Sequence, residues 1–260
     1  MNILDKIVLR KKEEVAHARQ LVSVQDLEKS TYFKRKPYSF KEFLLAENRT
    51  GIIAEFKRRS PSKGLINGTA DVAEVTKAYN SAGASALSVL TDVDFFGGKT
   101  DDLLAARAAN EIPILRKDFM IDEYQILEAK GWGADIILLI AAILSPKQIA
   151  DFAAFAQNLG LNVLLEVHNQ EELERSICPN LDAIGVNNRN LADFTVDIQT
   201  SFDLVNKIPD EFLKISESAI SNPATIRDLK SAGFNGFLIG ENFMKTDNPG
   251  LEIKEFVTKI

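Results

Sequence analysis

The sequence predicts a (β/α)8 (TIM) barrel with an N-terminal helical extension. Three observations carry this reading. Eight short apolar runs recur from residue 51 onward. Amphipathic stretches with helix-start and helix-stop residues separate them. No run is followed by the G-x-G-x-x-G turn of an open dinucleotide-binding sheet.

Residues 1–50 precede the first run. Leu4, Ile7 and Val8 form one apolar stripe at helical spacing there, and Tyr38, Phe40, Phe43 and Leu44 form a second. Both are expected to be helices packed on the barrel and closing one of its ends. Residues 1–260 are then one domain.

The apolar runs are Gly51–Phe56, Ala86–Leu90, Pro113–Arg116, Asp135–Ile140, Asn162–Val167, Ala183–Val186, Leu213–Ser216 and Gly236–Ile239. Their unbroken Ile, Leu, Val and Ala content is that of strands buried on both faces of a parallel sheet. Each gap is long enough for one crossover helix. Thr100 before Asp101 and Asp102 reads as a helix cap followed by first-turn acids. Asp122 with Gln125, and Asn169 with Glu172, have capping-box spacing. Ser145-Pro146 and Asn222-Pro223 place a cap before a first-turn proline, while Gly83, Gly160 and Gly233 stand where helices should stop. An open sheet usually has fewer strands, so the count of eight favours closure.

Composition excludes several classes of function. The chain has 260 residues, 45% hydrophobic and 26% charged, with a net charge of −6, which describes an ordinary folded protein. Without a basic stripe it is a poor partner for nucleic acid. Its basic stretch Lys57-Arg58-Arg59 runs into Ser60-Pro61-Ser62-Lys63-Gly64, a loop suited to one small anion. One cysteine, Cys178, and two histidines, His17 and His168, argue against a disulfide or a metal centre. The longest apolar run, Ile136–Leu144, is too short to span a membrane, and the N-terminus turns charged at Asp5. The expectation is a cytoplasmic protein with no cofactor and no membrane, a monomer or weak oligomer.

Barrel enzymes place their chemistry at the C-terminal ends of the strands, where side chains alternate between mouth and helix layer. Glu55 and Lys57 share parity, Lys117 follows the parity of Leu115, Glu166 closes the fifth run, and Asn187 and Arg189 follow the sixth. Ions at the ends of apolar strands are costly unless paired or used. Glu55, Lys57, Lys117, Glu166 and Arg189 together carry a charge of +1, a positive cup suited to an anionic small substrate. After the last two runs, the backbone N–H groups of Ala219, Gly240 and Glu241, beside Ser218, fit the usual barrel phosphate site.

Several strings resemble the indole-3-glycerol-phosphate synthase family. They are Ile53–Gly64 (IAEFKRRSPSKG), Leu90-Thr91-Asp92 through Phe96-Gly97-Gly98, Leu115-Arg116-Lys117-Asp118-Phe119, and Gly133–Ile140. Leu165-Glu166-Val167-His168, Gly185–Arg189, Ser216-Glu217-Ser218 and Leu238–Glu241 continue the match over nearly the whole chain. The resemblance implies a lyase of tryptophan biosynthesis. It would convert 1-(2-carboxyphenylamino)-1-deoxyribulose 5-phosphate to indole-3-glycerol phosphate, releasing CO2 and water. It assigns Lys117 as general acid, Glu166 as general base, and Glu55 as a second carboxylate paired with Lys57. Asn187 and Arg189 would hold sugar hydroxyls and the anionic intermediate, Ser60 would bind substrate, and Phe96, Phe119 and Pro61 would form a slot for the aromatic ring.

Two positions depart from the family pattern. Ala219 replaces the usual glycine, which restricts close phosphate approach or a positive φ. Asn188 replaces a small hydroxyl residue, and its parity points away from the mouth. Phosphoribosylanthranilate isomerase, a related barrel, would need a catalytic cysteine on the first strand, where this chain has Glu55 and Lys57. A Schiff-base aldolase using Lys117 and a non-catalytic phosphosugar-binding barrel remain as alternatives.

Overall fold

In the computed structural model, which describes residues 3–190 and 194–260, eight parallel strands close into a ring. The barrel strands are β1 (Ile52–Phe56), β4 (Ala86–Leu90), β5 (Ile114–Lys117), β6 (Ile136–Ile140), β7 (Asn162–Val167), β8 (Ala183–Asn187), β9 (Leu213–Glu217) and β10 (Gly236–Ile239). The two-residue strands β2 (Arg59–Ser60) and β3 (Gly64–Leu65) form a small antiparallel hairpin above β1. Ring order is β1-β10-β9-β8-β7-β6-β5-β4, with β1 closing against both β4 and β10.

The extension holds α1 (Ile3–Leu21), α2 (Val24–Glu28) and α3 (Phe40–Leu44). The outer layer is α4 (Val72–Ser81), α5 (Thr100–Ala109), α6 (Glu123–Gly131), α7 (Pro146–Asn158), α8 (Gln170–Ser176), α9 (Gln199–Leu204), α10 (Pro223–Ala232), α11 (Glu241–Met244) and α12 (Pro249–Val257).

All eight expected runs are strands, but three extend one residue further, to Lys117, Asn187 and Glu217. Hydrophobicity stops before hydrogen bonding does: Lys117 still pairs with Leu90, and Asn187 with Glu217. The polar ends therefore sit on the rigid sheet rather than on loops. Inside the ring, Ile53, Leu115, Leu138, Leu164, Ile215 and Leu238 share one apolar cluster. The opposite faces of the strands pack on the helices in a second.

Helix starts follow the sequence with two adjustments. Ser145 and Gln148 complete a capping box with Pro146 in the first turn. Asn222 caps α10 through the Ala224 N–H. Gln125 and Glu172 instead accept from Ile121 and His168, one residue ahead of the caps Asp122 and Asn169. Thr100 is not the cap of α5 but its first residue. Extended Lys99 holds the cap position with no side-chain bond, and Asp102 in that first turn pairs with Arg58.

The extension closes both ends of the barrel, not one. Phe40 and Leu44 of α3 enter the inner cluster at the strands' N-terminal end, where Gly236 leaves room for Leu44: a Cβ on it would lie 3.0 Å from that side chain. Asn162 at the start of β7 fixes them by donating to the Tyr38 carbonyl and accepting from the Phe40 N–H. Helix α1 lies across the mouth. Ile7 joins the same inner cluster with Phe119, and partly buried Leu4 and Phe96 pack against it. Behind it Lys11, 3% exposed, reaches Asp92 and Asp118 at 2.9 Å each. Burial alone would discharge Lys11, but those carboxylates outweigh it and keep the ammonium charged. The helix is thereby clamped to the loops after β4 and β5.

Candidate active site

Glu55, Lys57, Lys117, Glu166, Asn187 and Arg189 all border one small cavity at the C-terminal end of the barrel. Alternation along each strand puts them there, since each has the parity of an inward apolar residue below it. Lys57 Nζ lies 2.7 Å from Glu55 Oε1. A Cβ at Gly240 would meet that same oxygen at 2.5 Å, so glycine is what lets β10 approach the carboxylate.

At the centre stands Lys117. Its ammonium donates to Glu166 Oε2 at 2.9 Å and to Glu217 Oε2 at 2.8 Å. Burial would pull Lys117 down, but Glu166, Glu217 and Glu55 outweigh it and hold the group well above its ordinary range. Burial likewise opposes ionisation of Glu166, yet Lys117 and His168 hold it below the usual carboxylate range. Glu217 goes the other way. Burial and the charge of Glu166 outweigh Lys117 and push it up to about 7. Two carboxylates share one cation, and the pair is expected to retain a proton near neutrality.

Glu217 is the central side chain that the sequence reading does not assign to the site. Leu213, Ile215 and Glu217 repeat the alternation that flags Glu166, but the apolar run itself ends at Ser216. Its inclusion makes the charge of the cup depend on one proton: the six groups sum to zero with Glu217 ionised and to the expected +1 with Glu217 protonated. Gly185 accommodates it, because a Cβ there would meet Glu217 Oε1 at 2.2 Å.

The central cavity is about 120 Å³ and is walled by Phe96, Phe119, Leu90, Leu138, Ile140 and Leu238. The two rings lie 5.9 Å apart with planes tilted by 40°. Pro61 is exposed and outside this wall, because the β2–β3 hairpin turns it to solvent. Ser60 is buried, and its hydroxyl accepts from the Lys63 N–H at 3.3 Å, holding the turn rather than facing the cavity.

Beyond Arg189 the cavity opens into a cleft of about 440 Å³ lined by Ser62, Lys63, Lys245, Ser218, Ala219 and Gly240, with Glu241 at its edge. Arg189 bridges the two, 3.4 Å from the Ser62 hydroxyl and 3.6 Å from Glu241. Asn187 Oδ1 accepts from the Ser218 hydroxyl at 2.9 Å and from the Arg189 N–H at 3.0 Å. Lys63 could have been found from its place in the anion-suited loop. Lys245 has no comparable sequence signal, since α11 brings it in. Asn188 turns away from the mouth, donating to Ser216 and the Glu217 carbonyl. Among the described residues no group of His, Cys, Asp and Glu is arranged to hold a metal ion. No helix among them is long and apolar enough to cross a membrane.

Ser218 and Ala219 both adopt positive φ, +66° and +62°. For an L-residue with a Cβ this costs roughly 1–2 kcal/mol. Ala219→Gly is therefore expected to relieve about 1 kcal/mol and raise the unfolding midpoint by about 2–4 °C. Differential scanning calorimetry decides it, and an unchanged or lower midpoint would show that the alanine methyl compensates by packing.

The sequence profile of the family described as Indole-3-glycerol phosphate synthase matches residues 4–256. This chain belongs to the indole-3-glycerol phosphate synthase family. Among curated relatives, the indole-3-glycerol phosphate synthase of Bacteroides thetaiotaomicron is 47% identical, covering 100% of this chain and 99% of its own. That of Bordetella pertussis is 42% identical, covering 98% and 99%. A solved chain described as a native KDPGal structure aligns with a TM-score of 0.58 at 13% identity, over 82% of this chain and 95% of its own. At that identity it shares the barrel fold alone. Full-length membership of the synthase family fits the barrel, its extension and the Lys117 centre together.

Proposed function

We propose that this chain catalyses the ring closure of 1-(2-carboxyphenylamino)-1-deoxyribulose 5-phosphate to indole-3-glycerol phosphate, with release of CO2 and water, the extension and barrel acting as one domain. The observation that carries the assignment of roles is Lys117 held between Glu166 and Glu217 beside an apolar slot and an anion-suited cleft.

The ring lies against the apolar wall that Phe96 and Phe119 form together, and the phosphate lies in the cleft near Lys63, Arg189 and Lys245, under the turn of Ser218 and Ala219. Lys117 donates its proton to the keto oxygen as the aromatic carbon bearing the carboxylate bonds to the keto carbon. The carboxylate leaves as CO2, and the electrons of its bond restore the ring. Glu217 returns a proton to Lys117, to which it is already hydrogen-bonded. Glu166 then takes the proton that must leave the new ring, while Lys117 protonates the hydroxyl lost as water. Two protons are donated and one is recovered, so the reaction consumes one, as loss of a carboxylate as CO2 requires. Lys57, oriented by Glu55, holds the substrate's carboxylate, and Asn187 orients the sugar hydroxyls.

The test is turnover of the carboxyphenylamino-deoxyribulose phosphate by purified protein, followed through the fluorescence of the indole product. Product formation is expected. Tight binding without product would favour the non-catalytic barrel, and neither binding nor product by a folded protein would refute the assignment.

A further inference from the structure

One histidine lies against the central carboxylate without facing the substrate cavity. His168 follows β7 directly, and its side chain is 10% exposed. Its Nε2 lies 3.4 Å from Glu166 Oε1, and its Nδ1 lies 3.0 Å from Glu172 Oε2 on α8. Glu172 is itself fixed, accepting from the His168 backbone N–H at 2.8 Å and from Asn169 Nδ2 at 3.3 Å. Glu166 Oε2 is thus hydrogen-bonded to Lys117, while its Oε1 faces, at 3.4 Å, the buried imidazole Nε2, which has no hydrogen-bond partner among the described residues. We propose that His168 is a positioning residue, an imidazolium anchored by Glu172 that holds Glu166 ionised and aimed into the cavity.

The need for a second cation follows from the reaction. The inference rests on Glu166 being the proton acceptor. When Lys117 gives up its proton it becomes neutral, and its pull on Glu166 disappears at that step. Without another positive charge, Glu166 would compete with Glu217 for the proton Lys117 is due to receive. His168 does not line the cavity around Lys117, so it is not spent on the keto oxygen and keeps its charge at that step. The distance of 3.4 Å to Glu166 is one that resting enzymes commonly shorten in the reacting complex. Burial disfavours the imidazolium, but its contacts to Glu166 and Glu172 outweigh this and place it at about 10. The charged groups around the pair are Lys117 and Glu217 on the barrel side, Glu172 and Arg175 on α8, and Arg189 and Asp197 across the adjoining cavity.

The sequence contains only two histidines, and His17 is exposed on α1, so ring-15N spectra of the wild-type enzyme report His168 cleanly. Both its nitrogens are expected to carry protons at pH 8, and a neutral ring at that pH overturns the proposal whether or not any variant folds. In turnover, His168→Ala is expected to lower kcat by about 10- to 100-fold with KM within about threefold. Loss of the imidazolium raises the Glu166 pKa, so the acid limb of the kcat profile should move to higher pH by about one unit. His168→Gln, which restores an N–H near the Nε2 position, should recover part of the loss. On a Glu166→Gln background, His168→Ala should cost nothing further.

Wild-type kcat and an unmoved acid limb in His168→Ala, or a full extra loss on the Glu166→Gln background, would overturn the role of His168. A fully active Glu166→Gln enzyme would instead overturn the assignment of Glu166, which separates the two failures.

Discussion

Replacing Lys117 with alanine is expected to reduce kcat by about a thousandfold or more, while substrate affinity changes by less than about tenfold. In the proposed mechanism the side chain supplies both the proton and the positive charge at the keto oxygen. The same proposal leaves the ring and phosphate to other residues, Phe96 and Phe119 lining the cavity and Lys63, Arg189 and Lys245 lining the cleft. Single-turnover rates together with direct binding by calorimetry separate the two quantities. An alanine variant within tenfold of wild-type kcat would remove Lys117 from the chemistry.

The same substitution has a stability signature. Lys117 neutralises Glu166 and Glu217, whose side chains are 4% and 1% exposed. Removing one member of such a buried set costs about 3–5 kcal/mol. In the variant Glu217, already pushed above its ordinary value, loses the Lys117 counter-charge and its folded pKa rises further, while Glu166 keeps His168 beside it. A group shifted that way contributes stability below its unfolded pKa and loses it as pH rises. The deficit relative to wild type should therefore be largest above neutral pH and shrink in acid. Melting curves from pH 5 to pH 9 test this, and a deficit that grows in acid would contradict the arrangement.

Glu166→Gln is the second large effect, an expected fall in kcat of about 10²- to 10⁴-fold with KM within about threefold. Glutamine keeps the shape and one acceptor oxygen, so binding and packing are preserved while proton transfer is lost. Lys117 retains Glu217 as a counter-ion, which keeps the substitution from mimicking loss of the lysine. The acid limb of the kcat profile should vanish along with the base. If KM alone moved, Glu166 would be a binding residue.

The barrel was legible because a strand buried on both faces needs an unbroken apolar run, and eight such runs admit few other architectures. Strand ends were less so, since Lys117, Asn187 and Glu217 remain in the hydrogen-bonded ladder after hydrophobicity has ended. That same effect hid Glu217, whose parity is visible only when the strand is carried past Ser216. For the extension, helical spacing shows which face is apolar but not what it meets. Ile7 and Phe119 lie more than a hundred residues apart in sequence. Lys11, in a run of Lys and Glu, reads as solvated. It is buried because Asp92 and Asp118 converge on it from two loops. Pro61 and Ser60 entered as members of a family string. A string conveys residue identity, not which side of a hairpin faces the cavity.

Strand β1 carries Glu55 and pairs on one edge with β10, the last strand of the chain, whose Gly240 lies against that carboxylate. During translation the ribosome releases Glu55 and Lys117 well before Gly240. Until Gly236–Ile239 emerge, β1 has an open edge available to other chains, and the wall of the cleft that Gly240 and Lys245 form does not exist. The acid, the base and the phosphate cradle can meet only when that seam zips shut. A nascent or proteolytically nicked barrel is therefore expected to be silent, and the onset of turnover becomes a clock for the joining of the chain's first barrel strand to its last.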